Sequence, residues 1–341
     1  MTTVSGSVDF KITRDTLSTA ALRLLGAIDP ENTAGPTATQ LTNAAEALNL
    51  LIKQWQYLGL ELWVRKYAAI FPQKGQQVYV LGDPTPAGDH ACLSTPLGTG
   101  FVKTTLSSAM AASATSCPLT AISTTATAGI PAITVATAWN IGIQQDSGTI
   151  FWTTVNGALS GNTATLTAGI TTAASAGQCV YAYVTKLMRP MRVLDGFYRM
   201  NGGNDVPCLI IPRENYNRFG MKSSTGTTIQ LYYDPGSTGG NLYVYPASSL
   251  TNGVLYIEFT KPIDDMDSST DDFNFPQEWL NALKYNLALA MCPEYEVSEA
   301  KYKQIAYIAQ KSFDDVKSYD QEFASMYIQP SNWTYTDSRG Y

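Results

Sequence analysis

Residues 275–316 near the C-terminus constrain the fold more than any other part of the sequence. Leu280, Leu283 and Leu287 recur three and four residues apart, which places them on one face of a helix. Pro276 suits the first helical turn, because its missing N–H would have no partner there. The sequence therefore predicts an amphipathic helix that needs an apolar partner.

A second helix is predicted directly after the first. Pro293 ends the first helix and the second begins near Ser298. Its apolar stripe consists of Ile305, Ile308, Ala309, Phe313 and Val316. The short connection favours two helices that run back against each other.

Two more helices are predicted near the N-terminus. Thr13 is a suitable N-cap for a helix over 14–27. Thr37 and Gln40 form a capping box for a longer helix. The apolar stripe of that longer helix consists of Leu41, Ala44, Ala45, Leu48, Leu51, Ile52, Trp55 and Leu58.

We expect these N-terminal helices to pack on the C-terminal pair as one α-helical bundle. The predicted core of the bundle consists of Leu48, Leu51, Ile52, Trp55, Leu280, Leu283, Leu287, Ile305, Ile308 and Phe313.

Between the helices the apolar period changes to two, which predicts strands. The predicted strands are 63–71, 77–81, 191–200, 206–211, 227–233, 242–245 and 254–259. A short helical turn is predicted at 212–218.

Residues 97–182 have a different composition, with Lys103 and Asp146 as the charged side chains. Two β-patterned runs, 139–143 and 149–155, flank an Asp-Ser-Gly turn, which is a hairpin signal. A disordered Ser/Thr/Ala-rich tract is the alternative. We favour a small all-β insertion, because its apolar residues can form a core of their own.

The predicted fold class is therefore α+β. It combines the N- and C-terminal helical bundle, a mainly antiparallel β region and a small all-β inserted domain. The predicted domains are a helical bundle (1–62 with 274–320), a β domain (63–96 with 183–263), an inserted barrel or sandwich (97–182) and an extended C-terminal arm (321–341).

Composition excludes several function classes. Charged residues make up 15 % of the chain, against roughly 25 % in an average globular protein. The net charge of −6 argues against a chain that binds nucleic acid through phosphate contacts. The five cysteines form no CxxC pair, so we expect reduced, buried thiols rather than a zinc or redox site. No signal peptide is evident, and no apolar run reaches the roughly 18 residues of a membrane span, so a soluble protein is expected.

No catalytic, cofactor or metal site is predicted. His90 follows Asp89, but the sequence lacks a GxSxG nucleophile elbow, and a lone loop histidine is usually solvated. The acidic run 264–272 resembles a calcium loop only in part. Thr270 occupies the position where that loop needs glycine, and Pro276 the position where it needs glutamate. We interpret the run as a solvated linker into a helix N-terminus.

Five stretches in this order resemble one protein family. They are ITRDTLSTAALRLLGAI, AAEALNLLIKQWQYLGLELW, a strand beginning near Val64, LYYDPGSTGGNLYVYP and PQEWLNALKYNLALAMCPEY. Together they resemble the head-to-tail adaptor proteins of short-tailed bacteriophages, also called tail accessory factors or packaged-DNA stabilisation proteins. The insertion 97–182 and the aromatic C-terminus depart from that family.

The resemblance implies a structural virion protein without enzymatic activity or cofactor. It implies a homo-oligomeric ring, typically a dodecamer, that joins the portal to the tail at the portal vertex. The helices would meet the portal, and the β region would meet a tail hub, nozzle or tail fibre protein. Double-stranded DNA would pass through the ring during ejection without specific binding. The protein would be assembled in the host cytoplasm.

The last twenty residues are rich in aromatic side chains. Because aromatic anchors are enriched at interface centres, we favour an arm that binds the portal over a frayed terminus. The predicted portal-binding residues of the arm are Phe323, Tyr327, Trp333, Tyr335 and Tyr341.

Two alternative functions remain open at this point. One is a β-rich receptor- or glycan-binding module, which the uncharged insertion would suit. The other is a virion-associated peptidoglycan hydrolase, for which Glu46, Glu61 and Asp195 are acids that the sequence cannot place relative to one another.

Overall fold

Two units make up the fold, and one is inserted into the other. The helical unit comprises Met1–Trp63 and Asp265–Tyr341, and the β unit comprises Val64–Asp264. The structure, a computed structural model, describes residues 10–29, 31, 35–56, 58, 63–126, 132–249, 253–271 and 275–320.

The two N-terminal helices begin at the caps that the sequence predicts, whereas the first C-terminal helix begins at Trp279 rather than at Pro276. The helices of the helical unit are α1 (Arg14–Leu25), α2 (Ala38–Gln56), α4 (Trp279–Met291) and α5 (Glu299–Tyr319), while the short α3 (Arg213–Asn217) belongs to the β unit. The Thr13 hydroxyl accepts from the Thr16 N–H at the start of α1. At the start of α2 the Thr37 N–H donates to Gln40 Oε1 (2.9 Å), and the Gln40 N–H donates to Thr37 Oγ1 (3.3 Å). The predicted capping box is confirmed.

Helix α4 is the element on which the other helices of its unit pack. It contacts α1, α2 and α5, and its Leu283 and Leu287 are fully buried. The ring of Trp55 lies 5.6 Å from that of Trp279 and 5.0 Å from that of Phe313. Aromatic contacts therefore join α2, α4 and α5.

The β unit contains a main sheet, a small two-stranded sheet and the two sheets of the insertion. Its strands are β1 (Arg65–Ile70), β2 (Val78–Leu81), β3 (Ala91–Ser94), β4 (Phe101–Thr105), β5 (Ser116–Pro118), β6 (Asn140–Gln144), β7 (Ile150–Thr154), β8 (Thr163–Thr165), β9 (Cys179–Tyr183), β10 (Arg192–Arg199), β11 (Asp205–Ile210), β12 (Thr225–Gly226), β13 (Gln230–Pro235), β14 (Gly240–Tyr245), β15 (Ala247–Ser248) and β16 (Val254–Thr260).

The main sheet has eight strands in the order β2-β14-β13-β11-β10-β16-β1-β3 and is nearly closed, like a barrel. Its neighbours are antiparallel except for the parallel pair β11–β13. The inner face forms one apolar core, which includes Ile70, Leu81, Leu231, Ile257 and Phe259, all fully buried. Alternate residues of these strands point inward, as the period of two requires.

The insertion builds a four-stranded sheet, β4-β9-β6-β7, and a small β5–β8 pair. These strands surround a separate core that includes Cys117, Ile141, Ile143 and Ala164. The β6–β7 hairpin pairs Gln144 with Ile150 across the predicted turn. The turn has Gly148 at φ 86°, a conformation that favours glycine.

The predicted fold class is wrong. The chain is β-rich, with 30 % strand and 26 % helix, and its N- and C-terminal helices do not form the predicted bundle. Helix α5 shows why the helices differ from the prediction. Its buried residues are Ile305 and Ala309, and most of its surface remains accessible. The nearly closed sheet has an extensive apolar core of its own and pairs strands that are distant in sequence. The predicted domain boundaries stay a prediction.

Candidate functional site

A groove on the helical unit is the first candidate binding surface. It has a volume of about 430 Å³ and is lined by Asn43, Glu46, Ala47, Leu50, Leu51, Gln54, Ala290 and Glu294. The groove residues of α2, from Asn43 to Gln54, are mostly three and four positions apart in the sequence. They therefore form a second face of the helix beside the core stripe. We name this surface the α2–α4 groove. Its apolar floor includes Leu50, which is 66 % exposed.

The two acids of the α2–α4 groove have no cationic partner in the part of the chain that the structure describes. Within the described residues, Glu46 and Glu294 form no ion pair or hydrogen bond. Some other acids of the helical unit are paired, such as Glu299 with Lys303 at 2.6 Å. Asp265 likewise forms an ion pair with Lys53. The groove therefore combines an exposed apolar side chain with uncompensated negative charge.

A second candidate surface is an aromatic patch on the outer face of the main sheet. We name it the tyrosine cluster, and its rings are Tyr216, Phe219, Tyr232, Tyr243 and Tyr245, with Ile211 beneath them. The rings of Phe219 and Tyr245 are stacked at 4.1 Å, and those of Tyr232 and Tyr243 at 5.3 Å.

The tyrosine cluster combines the buried rings of Tyr216 and Tyr232 with exposed neighbours. Leu209 lies on β11, which pairs with β13, and its side chain is 63 % exposed. The Lys222 ammonium lies 5.7 Å from the ring centroid of Tyr216, a cation–π contact. Tyrosines with an apolar body and a polar tip are enriched at protein interfaces.

A polar groove of about 750 Å³ lies between the insertion and the main sheet of the β unit. The Lys103 ammonium donates to Asn201 Oδ1 at 3.0 Å, and burial lowers its pKa. Asp146 accepts from the Ser175 N–H (2.9 Å) and from Gln178 Nε2 (2.9 Å). The Ser175 N–H, followed by the Gln178 amide, lowers the pKa of the Asp146 carboxyl. Hydrogen bonds within the protein therefore hold several polar groups of this groove in place.

His90 lies in a cluster of aromatic rings where the insertion meets the main sheet, which we name the aromatic joint. The cluster includes Phe71, Trp152, Tyr181 and Tyr183. His90 Nδ1 lies 3.2 Å from the Phe71 carbonyl oxygen, to which it donates when it carries the proton. The same Nδ1 atom lies 3.4 Å from Trp152 Nε1, and it accepts a hydrogen bond from that N–H when it carries no proton.

The environment of His90 makes it a structural side chain. Burial lowers the pKa of His90 and is the largest effect on it. The Phe71 carbonyl and the Asp89 carboxylate act in the opposite direction and raise that pKa. Asp89 is buried and paired with Lys186. The interpretation of His90 as a solvated loop histidine is therefore wrong, because aromatic rings from distant strands enclose it.

Metal-ligating and nucleophilic side chains occur at several places in the described part of the chain. No group of three or more His, Cys, Asp or Glu there could hold a metal ion. Burial raises the pKa of the Cys117 and Cys208 thiols to about 12, which makes them unreactive near neutral pH. The acidic run is held by hydrogen bonds, since the Arg14 guanidinium donates to the Asp267 carbonyl at 2.9 Å. Of the helices described, none is long and apolar enough to cross a membrane.

The predicted core residues of the helices lie in one unit. Leu48, Leu51, Ile52, Trp55, Leu280, Leu283, Leu287 and Ile305 are buried, whereas Ile308 and Phe313 are half-buried. The predicted arm residues Phe323, Tyr327, Trp333, Tyr335 and Tyr341 lie outside the described residues. Their role as portal anchors stays a prediction.

Sequence reasoning missed the α2–α4 groove and the aromatic joint. The apolar stripe of α2 drew attention to its core face, although Ala47 and Leu50 recur at a spacing of three on the second face. The joint had a weaker signal, because Phe71, Trp152 and Tyr183 come from three separate strand regions. Only the packing of these regions against one another brings the rings together.

Comparison with known proteins identifies a family. The family model described as SU10 adaptor protein matches residues 152–330, which is more than half of the chain. The match begins in β7 and includes the strands of the tyrosine cluster together with α4 and α5. Comparison with curated proteins finds no match.

Proposed function

Because this chain belongs to the SU10 adaptor protein family, we propose that it forms a ring that joins the portal to the tail of a short-tailed bacteriophage. Family membership makes the chain a phage structural adaptor protein and a virion component. It also implies binding to other phage structural proteins, such as portal or tail proteins. The match over residues 152–330 is the observation that carries this proposal.

A connector needs separate surfaces for at least two neighbours, and the described residues offer them. The helical unit has the α2–α4 groove with its exposed Leu50, and the β unit has the tyrosine cluster beside the exposed Leu209. The ring has twelve copies in this proposal, with the helical unit against the portal. The β unit meets a tail hub, nozzle or fibre protein, and the arm 321–341 binds the portal.

The proposed ring acts by assembly rather than by chemistry. Double-stranded DNA passes through its centre during ejection without specific binding. The net charge of −6 supports this, because a protein that grips DNA neutralises phosphates with Lys and Arg.

Electron microscopy of the purified chain mixed with the portal protein of the same phage tests the proposal. We expect a ring of this protein on one end of the portal, with twelve copies in class averages and a matching mass by light scattering. The chain without portal serves as the control for self-assembly. A failure to bind portal would contradict the proposed function, and a bound ring with another copy number would contradict the dodecamer alone.

A further inference from the structure

We propose that the α2–α4 groove is the portal contact of the helical unit and that it receives an apolar side chain flanked by basic residues. The inference rests on the proposed function and adds the chemistry of the portal segment that binds. It assigns a role to two surface residues of α2, Glu46 and Leu50, and to Glu294 beyond α4.

The shape of the groove fits a protruding side chain. Its volume of about 430 Å³ lies within the roughly 300–1,000 Å³ that is usual for pockets that bind ligands. Ala47 and Ala290 are small residues that leave room above the floor. Leu50 is 66 % exposed, so covering it removes apolar surface from water.

The charge of the groove determines the kind of partner. Glu46 and Glu294 have no ion pair or hydrogen bond within the described residues, whereas Glu299 of the same unit is paired with Lys303. Acids beside an apolar contact favour a partner that carries Lys or Arg at the rim. An acidic partner segment would be repelled.

The location of the groove fits a contact that selects a partner. Its residues lie on α2, at the end of α4 and in the turn that follows α4. Helix α2 packs against α4, and both helices carry buried side chains such as Leu48 and Leu283. Because rigid elements hold the groove, binding requires little ordering of the protein. A mutation at the rim can therefore change recognition without unfolding the unit.

The test measures the affinity of the full chain for the portal protein of the same phage. Leu50→Asp places a charge on the apolar floor, and Glu46→Lys with Glu294→Lys reverses the rim. Tyr307→Asp is the matched control, because Tyr307 is an equally exposed (69 %) side chain on α5 that does not line the groove. Circular dichroism and thermal unfolding establish that each variant is folded.

We expect Leu50→Asp to weaken portal binding by at least about tenfold, as for a central interface residue. The double reversal should weaken it at low salt and reduce its dependence on ionic strength. Tyr307→Asp should bind like the wild type. These results together would support the groove as the portal contact.

Three outcomes would overturn the inference. Wild-type affinity in a folded Leu50→Asp variant would reject the groove and leave the proposed function intact. A change in self-association of Leu50→Asp without portal would assign the groove to a second copy of this chain. Absence of portal binding by the wild type would reject the proposed function and this inference with it.

Discussion

At the scale of residues, His90 is held between two sheets of the β unit. Its ring lies 5.5 Å from the ring of Trp152 and 5.7 Å from that of Tyr79, both at steep angles. Asp89 and Lys186 form an ion pair next to it, and the Tyr183 hydroxyl donates to the Asp89 carbonyl at 2.7 Å. The aromatic joint therefore stabilises the neutral imidazole, because burial disfavours its charged form.

The stability of the protein should fall as the pH drops below about 6.5, the ordinary pKa of histidine. The folded protein lowers the pKa of His90, so the unfolded chain binds the proton more readily. The contribution of His90 to the free energy of unfolding is complete above the pKa of His90 in the unfolded chain. It is lost as the pH falls towards the pKa of His90 in the folded protein, by no more than about 1.4 kcal/mol per pH unit. Chemical denaturation at pH 7.5, 6.5 and 5.5 measures this change.

His90→Gln supplies the comparison, because glutamine does not titrate. Its free energy of unfolding should change less over the same pH interval than that of the wild type. Asp146 and Asp205, whose carboxyl pKa values are lowered, lose their contribution only at more acidic pH. Equal pH dependence in both proteins would show that His90 does not control it.

At the scale of elements, the start of α2 depends on two reciprocal hydrogen bonds between Thr37 and Gln40. Thr37→Ala leaves the Gln40 N–H without its side-chain partner and should lower the free energy of unfolding of the helical unit by about 0.5–2 kcal/mol. Denaturation followed by circular dichroism measures the loss. Thr42→Ala is the control, since its hydroxyl donates to the Ala38 carbonyl within the helix and caps nothing; an equal loss there would contradict a capping role.

The pairing of β6 with β7 depends on the missing side chain of Gly142. A Cβ atom there would lie 2.6 Å from ring carbons of Trp152, which is packed against Phe71 and Tyr183. Gly142→Ala should therefore destabilise the β unit by about 1–3 kcal/mol through overpacking.

Tryptophan fluorescence during denaturation follows this change. Gly202→Ala is the matched control, because its added methyl group meets nothing within 4 Å. A Gly142→Ala variant as stable as Gly202→Ala would mean that Trp152 can move aside without cost.

The individual elements were largely predictable because they depend on neighbours in the sequence. The Thr37–Gln40 capping box follows from residues three positions apart, and its hydrogen bonds are confirmed. The β6–β7 hairpin likewise follows from the Asp146-Ser147-Gly148 turn. His90 could not be placed in this way, because its partner Trp152 is 62 positions away.

At the scale of the whole molecule, the C-terminal segment is the part of the proposed connector that a truncation can test separately. A chain that ends at Gln321 lacks all five predicted aromatic anchors. We expect it to keep the circular dichroism and thermal unfolding of the full chain and to bind portal more weakly, because aromatic anchors dominate interface energetics.

The full-length variant with Trp333→Ser and Tyr335→Ser distinguishes the aromatic side chains from the mere length of the arm. It should reproduce most of the loss that truncation causes. Unchanged portal affinity in the truncated protein would reject the arm as a portal anchor, while the α2–α4 groove would be unaffected.

The local elements and the resemblance to phage adaptors could be read from the sequence alone, and the family match supports the adaptor class. The near closure of the sheet is visible only in three dimensions, and it makes the predicted fold class wrong. The same holds for the open groove of α2, whose two acids have no partner among the described residues. The difference arises because caps, turns and apolar periods depend on adjacent residues. Sheet closure depends instead on pairings such as β1 with β16 and β2 with β14, whose strands are far apart along the chain.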